Sequence, residues 1–230
     1  MTTLARRGVA YIVLPHLLWR GVATNSPAIP FLPDWLYRIL FSQPKIGLTA
    51  LGKAAAEAMV REGVLIDLSH MSTHAIADSF ELLDELDPDR RVPVIASHGA
   101  FRFGGQEYGV DEETLLRIAG RGGVVGLIFA QHQLNDGVRR RETKTFEESF
   151  EVICAHLDRI AEITDSHRHV AIGSDFDGFI KPTLGGLESM VDMARLEKAL
   201  RERYGPEDAE LICSGNALRV LRAGWAPQAG

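Results

Sequence analysis

Continuous apolar runs rich in β-branched residues recur along this chain, and segments with helical periodicity separate them. The runs have the length of strands and are bounded by turn residues, which is the pattern of strands buried on both faces. They predict five strands, at residues 8–16, 63–70, 92–98, 123–130 and 169–178.

The segments between the runs place apolar residues on one helical face. They predict helices at residues 49–62, 73–86, 111–119, 146–164, 190–204 and 206–222. Strands of the fully buried type that alternate with helices favour an α/β fold with a parallel sheet, either open or closed into a barrel.

One segment, residues 21–46, interrupts the alternation with four prolines and the aromatic residues Trp35, Tyr37 and Phe41. It directly follows the first predicted strand. Such loops on the catalytic side of a barrel are often lids or subunit contacts. The segment could equally be a packed excursion that covers the sheet edge, so we expect one domain over residues 1–230 with a loop insertion at 21–46.

Histidine and aspartate residues stand where the predicted strands end. Parallel strands run in the same direction, so His16, His70, His98 and Asp175 should meet at one edge of the sheet. Imidazole and carboxylate are the ligands of hydrolytic zinc sites. A single histidine at a strand end is more often a hydrogen-bonded structural residue, but several in corresponding positions of separate repeats favour a divalent metal site.

A metal site of this kind makes amide hydrolysis feasible, because the cation lowers the pKa of bound water and polarises the carbonyl. A carboxylate outside the ligand set can hold a substrate ammonium, and such a histidine can donate to the developing oxyanion. Asp175 and His16 fit these two roles. Asp67 lies inside its strand, so we expect it to orient a neighbour or to cap a loop rather than to bind metal. We expect no functional role for three further histidines, namely His74, His156 and His167.

Composition excludes several other classes of protein. The net charge is −6 and there is no basic stripe, which argues against a nucleic-acid partner. The two cysteines, Cys154 and Cys213, are too few for a disulfide framework or a cysteine-type zinc cluster. No run reaches the roughly 18 apolar residues of a membrane span. We therefore expect a cytoplasmic protein with no membrane contact.

Five ordered motifs resemble the membrane dipeptidase (renal dipeptidase) family of zinc peptidases, peptidase family M19. They are GLTALG at 47–52, IDLSHMS at 66–72, PVIASHG at 93–99, IGSDFDG at 172–178 and GNALRVL at 215–221. The resemblance runs from about Gly8 to Leu221. It implies a (β/α)8 TIM barrel of the metal-dependent hydrolase superfamily with two zinc ions per complete site. It also implies an enzyme that hydrolyses dipeptides through a metal-bound hydroxide and that is often a homodimer.

The motifs carry particular residues across. The resemblance implies that His70 and His98 are ligands of one zinc ion and that Asp175 contacts the amino end of the substrate. It also implies that His16, in the segment GVAYIVLPH, binds the substrate and stabilises the tetrahedral intermediate.

The chain departs from the family pattern in two ways. The family begins with three further strands, which carry a His-x-Asp pair and a bridging glutamate, whereas this chain shows only the C-terminal five βα units. We therefore expect an incomplete site that holds zinc weakly or partially. Either the start of the gene is set too far downstream, or a partner protein completes the barrel, or the five strands form an open sheet. Where the family has an arginine for the substrate carboxylate, this chain has Glu107 and Tyr108, and Arg102 is the candidate substitute.

Three other functions stay open. The chain could be an inactive remnant or interaction module of the same fold. It could also be a hydrolase of the superfamily that acts on a lactone, a cyclic amide or a phosphoester, since the region of Glu107 and Tyr108 differs from the dipeptidase pattern. A doubly wound nucleotide-binding sheet is disfavoured, because no glycine-rich phosphate loop follows the first strand.

Overall fold

A parallel five-stranded sheet with the order β1-β2-β3-β4-β5 forms the centre of the computed structural model, which describes residues 1–225. The strands are β1 (Tyr11–Val13), β2 (Leu65–Asp67), β3 (Ile95–Gly99), β4 (Val124–Leu127) and β5 (Val170–Ile172). Each lies inside one of the five predicted runs or ends one residue beyond it. The spatial order follows the chain order, as in consecutive strands of a barrel, and it lacks the reversal of a doubly wound sheet.

Helices connect the strands. They are α1 (Thr2–Arg6), α2 (Asp34–Leu40), α3 (Ala50–Arg61), α4 (Thr73–Leu86), α5 (Glu112–Gly120), α6 (Gln131–Leu134), α7 (Phe146–Thr164), α8 (Met193–Glu210) and α9 (Asn216–Gly224). The bounds of α4 and α7 are those predicted from the sequence, whereas α1, α2 and α6 were not predicted. Helix α8 is interrupted at Gly205, which has a φ of 85°, between the two helices expected there.

Local capping fixes where the helices that follow the strands begin. The side chains of Ser72, Asp111 and Thr145 each accept a hydrogen bond from a backbone N–H in the first turn of α4, α5 and α7. A side-chain oxygen at this position satisfies a backbone donor that has no partner inside the helix. The chain therefore turns from the end of β2 into α4 within a few residues, which confines the residues around His70.

The two faces of the sheet are covered differently. Alternate strand residues such as Ile66, Ala96 and Val125 belong to the large core beneath the flanking helices. Their neighbours on the opposite face form a smaller cluster with Val220 of α9, and they are Leu65, Ile95, Val124 and Ala171. This alternation is the period-two pattern of strands buried on both faces.

Glycines allow the strands to approach each other closely beside the candidate site. A Cβ atom at Gly126 would lie 2.2 Å from the carbonyl oxygen of Ser97, and one at Gly173 would lie 2.0 Å from the same oxygen. Neither distance is compatible with a side chain. These two positions therefore let β4 and β5 close against the backbone directly before His98.

The first part of the 21–46 segment packs against the turn that follows β2. The backbone N–H of Ser26 donates to the carbonyl oxygen of His70 (2.8 Å), and that of Ser72 donates to Thr24 (3.0 Å). The segment continues into α2, where Tyr37 is fully buried. In residues 1–225, none of the helices is long and apolar enough to cross a membrane.

Candidate active site

Two histidines meet where β2 and β3 end. The Nε2 atoms of His70 and His98 are 3.0 Å apart. The Oγ atom of Ser97 lies 2.7 Å from Nδ1 of His98, so Nδ1 has a partner inside the protein and Nε2 is turned toward His70. The structure therefore brings together the two strand-end histidines that the sequence singled out.

His16 and Tyr108 complete the immediate surroundings of His70. The ring centroids of His16 and His70 are 4.6 Å apart, and those of Tyr108 and His70 are 5.2 Å apart. Tyr108 is buried, and its hydroxyl donates to the carbonyl oxygen of His98 (3.0 Å). Sequence reasoning noted Tyr108 only as a departure from the family pattern, because an aromatic residue in a loop carries no periodic signal of its position.

Burial determines the protonation of His70. Its pKa is lowered to about 3, first by desolvation and then by the nearby His98 and His16. His70 is therefore neutral near pH 7, as an imidazole ligand must be. The pKa of the Tyr108 hydroxyl is raised well above its usual value by burial and by the charges of Asp175 and Asp67, so Tyr108 stays a protonated donor.

Asp175 follows β5 in a left-handed conformation, with a φ of 56°. The backbone N–H of Gly178 donates to its carbonyl oxygen (2.8 Å), and a Cβ atom at Gly178 would lie 2.1 Å from a carboxylate oxygen of Asp175. Burial raises the pKa of Asp175, while the nearby His98 and His16 lower it. Together with His98, this carboxylate lines a cavity of about 390 Å³ against the sheet.

The histidine pair is suited to hold a divalent cation. Two nitrogen ligands of a tetrahedral zinc ion, each about 2.0–2.1 Å from the metal, are separated by about 3.3 Å. The separation of 3.0 Å between the two Nε2 atoms is close to this value. In the part of the chain that the structure describes, no group of three or more His, Cys, Asp or Glu side chains is arranged to hold an ion. His70 and His98 therefore fit as two ligands of a metal ion.

Arg102, the candidate for the substrate carboxylate, makes its hydrogen bonds within its own loop. Its guanidinium donates to the carbonyl oxygens of Gly109 (2.8 Å) and Glu107 (2.8 Å) and pairs with Asp111 (3.1 Å). The carboxylate of Glu107 accepts from the N–H of Thr73 (2.9 Å) at the beginning of α4. A role for Arg102 in substrate binding stays a prediction, since no contact in the structure tests it.

The remaining histidines lie elsewhere. His156 is buried between Phe101 and Leu134, and His167 faces Asp208. His74 is exposed on α4. His132 follows β4, and burial lowers its pKa to about 4, but its ring makes no hydrogen bond to His70 or His98. Of the histidines and aspartates predicted at the strand ends, His16, His70, His98 and Asp175 lie at the sheet edge together with Tyr108.

Comparison with known proteins places this geometry in a family context. The family model described as Membrane dipeptidase (Peptidase family M19) matches residues 2–226. An uncharacterized dipeptidase of Schizosaccharomyces pombe is 31% identical over 221 residues, which are 94% of this chain and 46% of that protein. Dipeptidase 3 of Rattus norvegicus is 28% identical over 177 residues, covering 76% of this chain and 33% of the relative.

Solved structures agree with the fold. A metallopeptidase from Rhodobacter sphaeroides, liganded with a phosphinate mimic of the dipeptide L-Ala-D-Ala, superposes with a TM-score of 0.78 at 23% identity. The match covers 97% of this chain and 58% of that one. The fold is therefore the (β/α)8 TIM-barrel type, represented by five βα units. The chain spans less than half the length of the two curated relatives named above.

Proposed function

Because this chain belongs to the membrane dipeptidase family, peptidase family M19, we propose that it is a zinc-dependent hydrolase of dipeptides or closely related amides. The observation that supports the proposal most directly is the distance of 3.0 Å between the Nε2 atoms of His70 and His98 at the sheet edge. His70 and His98 would hold the metal there. A zinc ion bound between them would lower the pKa of a water molecule and polarise the amide carbonyl.

The surrounding residues would orient the substrate. Asp175 would accept a hydrogen bond from the free amino group of a dipeptide, because its carboxylate lines the cavity beside His98. His16, whose ring lies 4.6 Å from that of His70, would donate a hydrogen bond to the oxygen of the carbonyl under attack. The buried, protonated Tyr108 would keep the backbone of His98 in place through its hydroxyl.

Hydrolysis of a panel of dipeptides by the purified chain, with Zn²⁺ or Co²⁺ added, tests this proposal. We expect His70→Ala and His98→Ala to abolish both metal binding and turnover. Asp175→Asn should lower kcat/KM by roughly 100-fold, and the loss should be smaller for substrates without a free amino group. His74→Ala is the matched control, because His74 is an exposed histidine on α4.

Two results would contradict the proposal. A chain that binds the metal through His70 and His98 but hydrolyses no dipeptide would favour the non-catalytic interaction module. Turnover that survives the loss of both histidines would remove them from the metal site, whatever the substrate.

A further inference from the structure

The backbone pairing between β2 and β3 ends before the two histidines are reached. In residues 1–225 the ladder between β2 and β3 contains one pair, Asp67 and Ile95, and the hydrogen bond from Leu68 N–H to the Ile95 carbonyl oxygen (2.7 Å) belongs to it. Beyond this pair the described segments continue to His70 and His98 without further ladder pairing between them. Some other interaction must therefore set the distance between the histidines.

The carboxylate of Asp67 occupies the place where the ladder stops. Its Oδ1 atom accepts hydrogen bonds from the backbone N–H groups of Ser69 (3.0 Å) and Ser97 (2.9 Å). These residues directly precede His70 and His98. A single oxygen atom thus ties together the two segments that present the imidazoles.

The hydrogen bonds to the Asp67 carboxylate are strong. Asp67 is fully buried. Hydrogen bonds from backbone N–H groups to a carboxylate are about twice as strong as those between neutral groups. The Oγ atom of Ser69 adds a further link across the same gap, because it accepts from the N–H of His98 (3.1 Å).

We propose that Asp67 is a positioning residue whose carboxylate fixes the spacing and orientation of the His70–His98 pair for metal binding. The inference rests on the proposed function, since it assumes that these two histidines are ligands. Asp67 would act only through its neighbours. Its Oδ1 atom is bonded to the backbone N–H groups of Ser69 and Ser97, so its link to both histidines runs through these two residues.

The proposal distinguishes Asp67 from a residue that merely stabilises the sheet. A merely stabilising carboxylate would change the free energy of unfolding but not the affinity of the folded protein for a metal. A positioning residue changes both. Residues that orient metal ligands from outside the ligand shell typically contribute 10–100-fold to metal affinity.

Two substitutions separate the carboxylate oxygen from its charge. Asp67→Asn keeps an oxygen that accepts from both Ser69 and Ser97, so we expect Zn²⁺ affinity to fall by less than about 5-fold, in keeping with a lost charge on an otherwise intact acceptor. Asp67→Ala removes the acceptor, and we expect Zn²⁺ affinity to fall by about 10–100-fold. The matched control is Asp78→Ala, because Asp78 also accepts from a backbone N–H, that of Leu48 (2.7 Å), but lies on α4.

Isothermal titration with Zn²⁺ on the folded variants measures these affinities, and the visible spectrum of bound Co²⁺ reports the ligand geometry. Asp67→Ala that binds Zn²⁺ as tightly as the unaltered chain would overturn the proposal. Asp67→Asn that is as weak as Asp67→Ala would also overturn it, because the charge and not the positioning oxygen would then be responsible.

Hydrogen exchange of individual backbone amides provides a readout that needs no metal. In Asp67→Ala the amides of Ser69 and Ser97 should exchange at least about 10-fold faster relative to Asp78→Ala, because they lose their acceptor. Unchanged exchange would overturn the proposal even if no metal binds. Conversely, a chain that hydrolyses no dipeptide but loses Zn²⁺ affinity in Asp67→Ala would contradict the proposed function and support the positioning role.

Discussion

His156 illustrates how a single buried residue links pH to stability in this protein. Its side chain is fully buried on α7, where Nδ1 accepts from the N–H of Phe101 (3.1 Å) and Nε2 lies 2.9 Å from the carbonyl oxygen of Leu134. Protonation would turn the accepting nitrogen into a donor that faces another donor. Burial lowers the pKa of His156 to about 4, although the bond to Leu134 opposes the shift.

The sign of the pH effect follows from this lowered pKa. The unfolded chain binds a proton at His156 below about pH 6.5, whereas the folded chain binds it only near pH 4, so stability falls as the pH drops between these values. We expect His156 to account for roughly 2 kcal/mol of lost stability between pH 7 and pH 5. The free energy of unfolding in urea at the two pH values measures this loss.

A variant isolates the contribution of His156. Glutamine carries both a donor and an acceptor but does not titrate in this range, so His156→Gln should show a smaller pH dependence by about the same 2 kcal/mol. His74→Gln should show the same pH dependence of the free energy of unfolding as the unaltered chain, because His74 is exposed. Equal losses in His156→Gln and the unaltered chain would show that other groups cause the acid sensitivity.

Two individual residues of the candidate site could be predicted from the sequence, and the reason is physical. Strand ends of a parallel sheet converge, so His70 and His98 could be paired from their positions alone. The residues that surround this pair could not be predicted in the same way. Tyr108 reaches His70 from a loop whose path depends on the three bonds of Arg102, and these form only when the chain has folded.

Among the helices, the sequence was most informative where caps and breakers mark the ends. Ser72 and Thr145 cap α4 and α7, and the predicted bounds of both helices agree with the structure. Helix α2 has seven residues and no long periodic pattern, and it packs through the buried Tyr37, so its formation depends on tertiary contacts. The paired strands are shorter than the apolar runs, and β2 and β3 pair only through Asp67 and Ile95 before the chain reaches the histidines.

Gly205 separates the two halves of α8 and offers a test at the scale of the element. Its φ of 85° and ψ of 168° lie in a region open almost only to glycine, and apart from its chain neighbours and the backbone of its own helix nothing lies within 4 Å of the Cβ position. Gly205→Ala should therefore cost about 1–3 kcal/mol of stability through backbone strain alone. Urea denaturation measures this cost.

The control for Gly205 is another glycine with space around it. Gly105→Ala also introduces a Cβ atom with nothing within 4 Å, but at a position without a positive φ, so we expect a change of less than about 0.5 kcal/mol. If both variants lose the same stability, strain at the helix break is not the cause.

For the whole molecule, α9 packs against the face of the sheet that also borders the cavity beside His98 and Asp175. The larger core beneath the helices holds the strands in order, while α9 covers the other face through Val220, which contacts the cluster of Leu65, Ile95 and Val124. These strand residues precede the polar ends that carry His70 and His98. Val220 borders this cavity, but we proposed that Asp67 sets the spacing of the histidines, so we expect packing under α9 to affect folding more than it affects the pair.

Val220→Ala tests this expectation. Val220 is buried, so the cavity left by its truncation should lower the free energy of unfolding by about 2 kcal/mol, whereas Leu218→Ala on the exposed side of α9 should change it by less than about 0.5 kcal/mol. We expect the Zn²⁺ affinity of the folded Val220→Ala variant to equal that of the unaltered chain, since Asp67 and not α9 connects the segments that carry the histidines. A large loss of Zn²⁺ affinity without a loss of stability would mean that α9 supports the histidine pair directly, which would contradict this expectation.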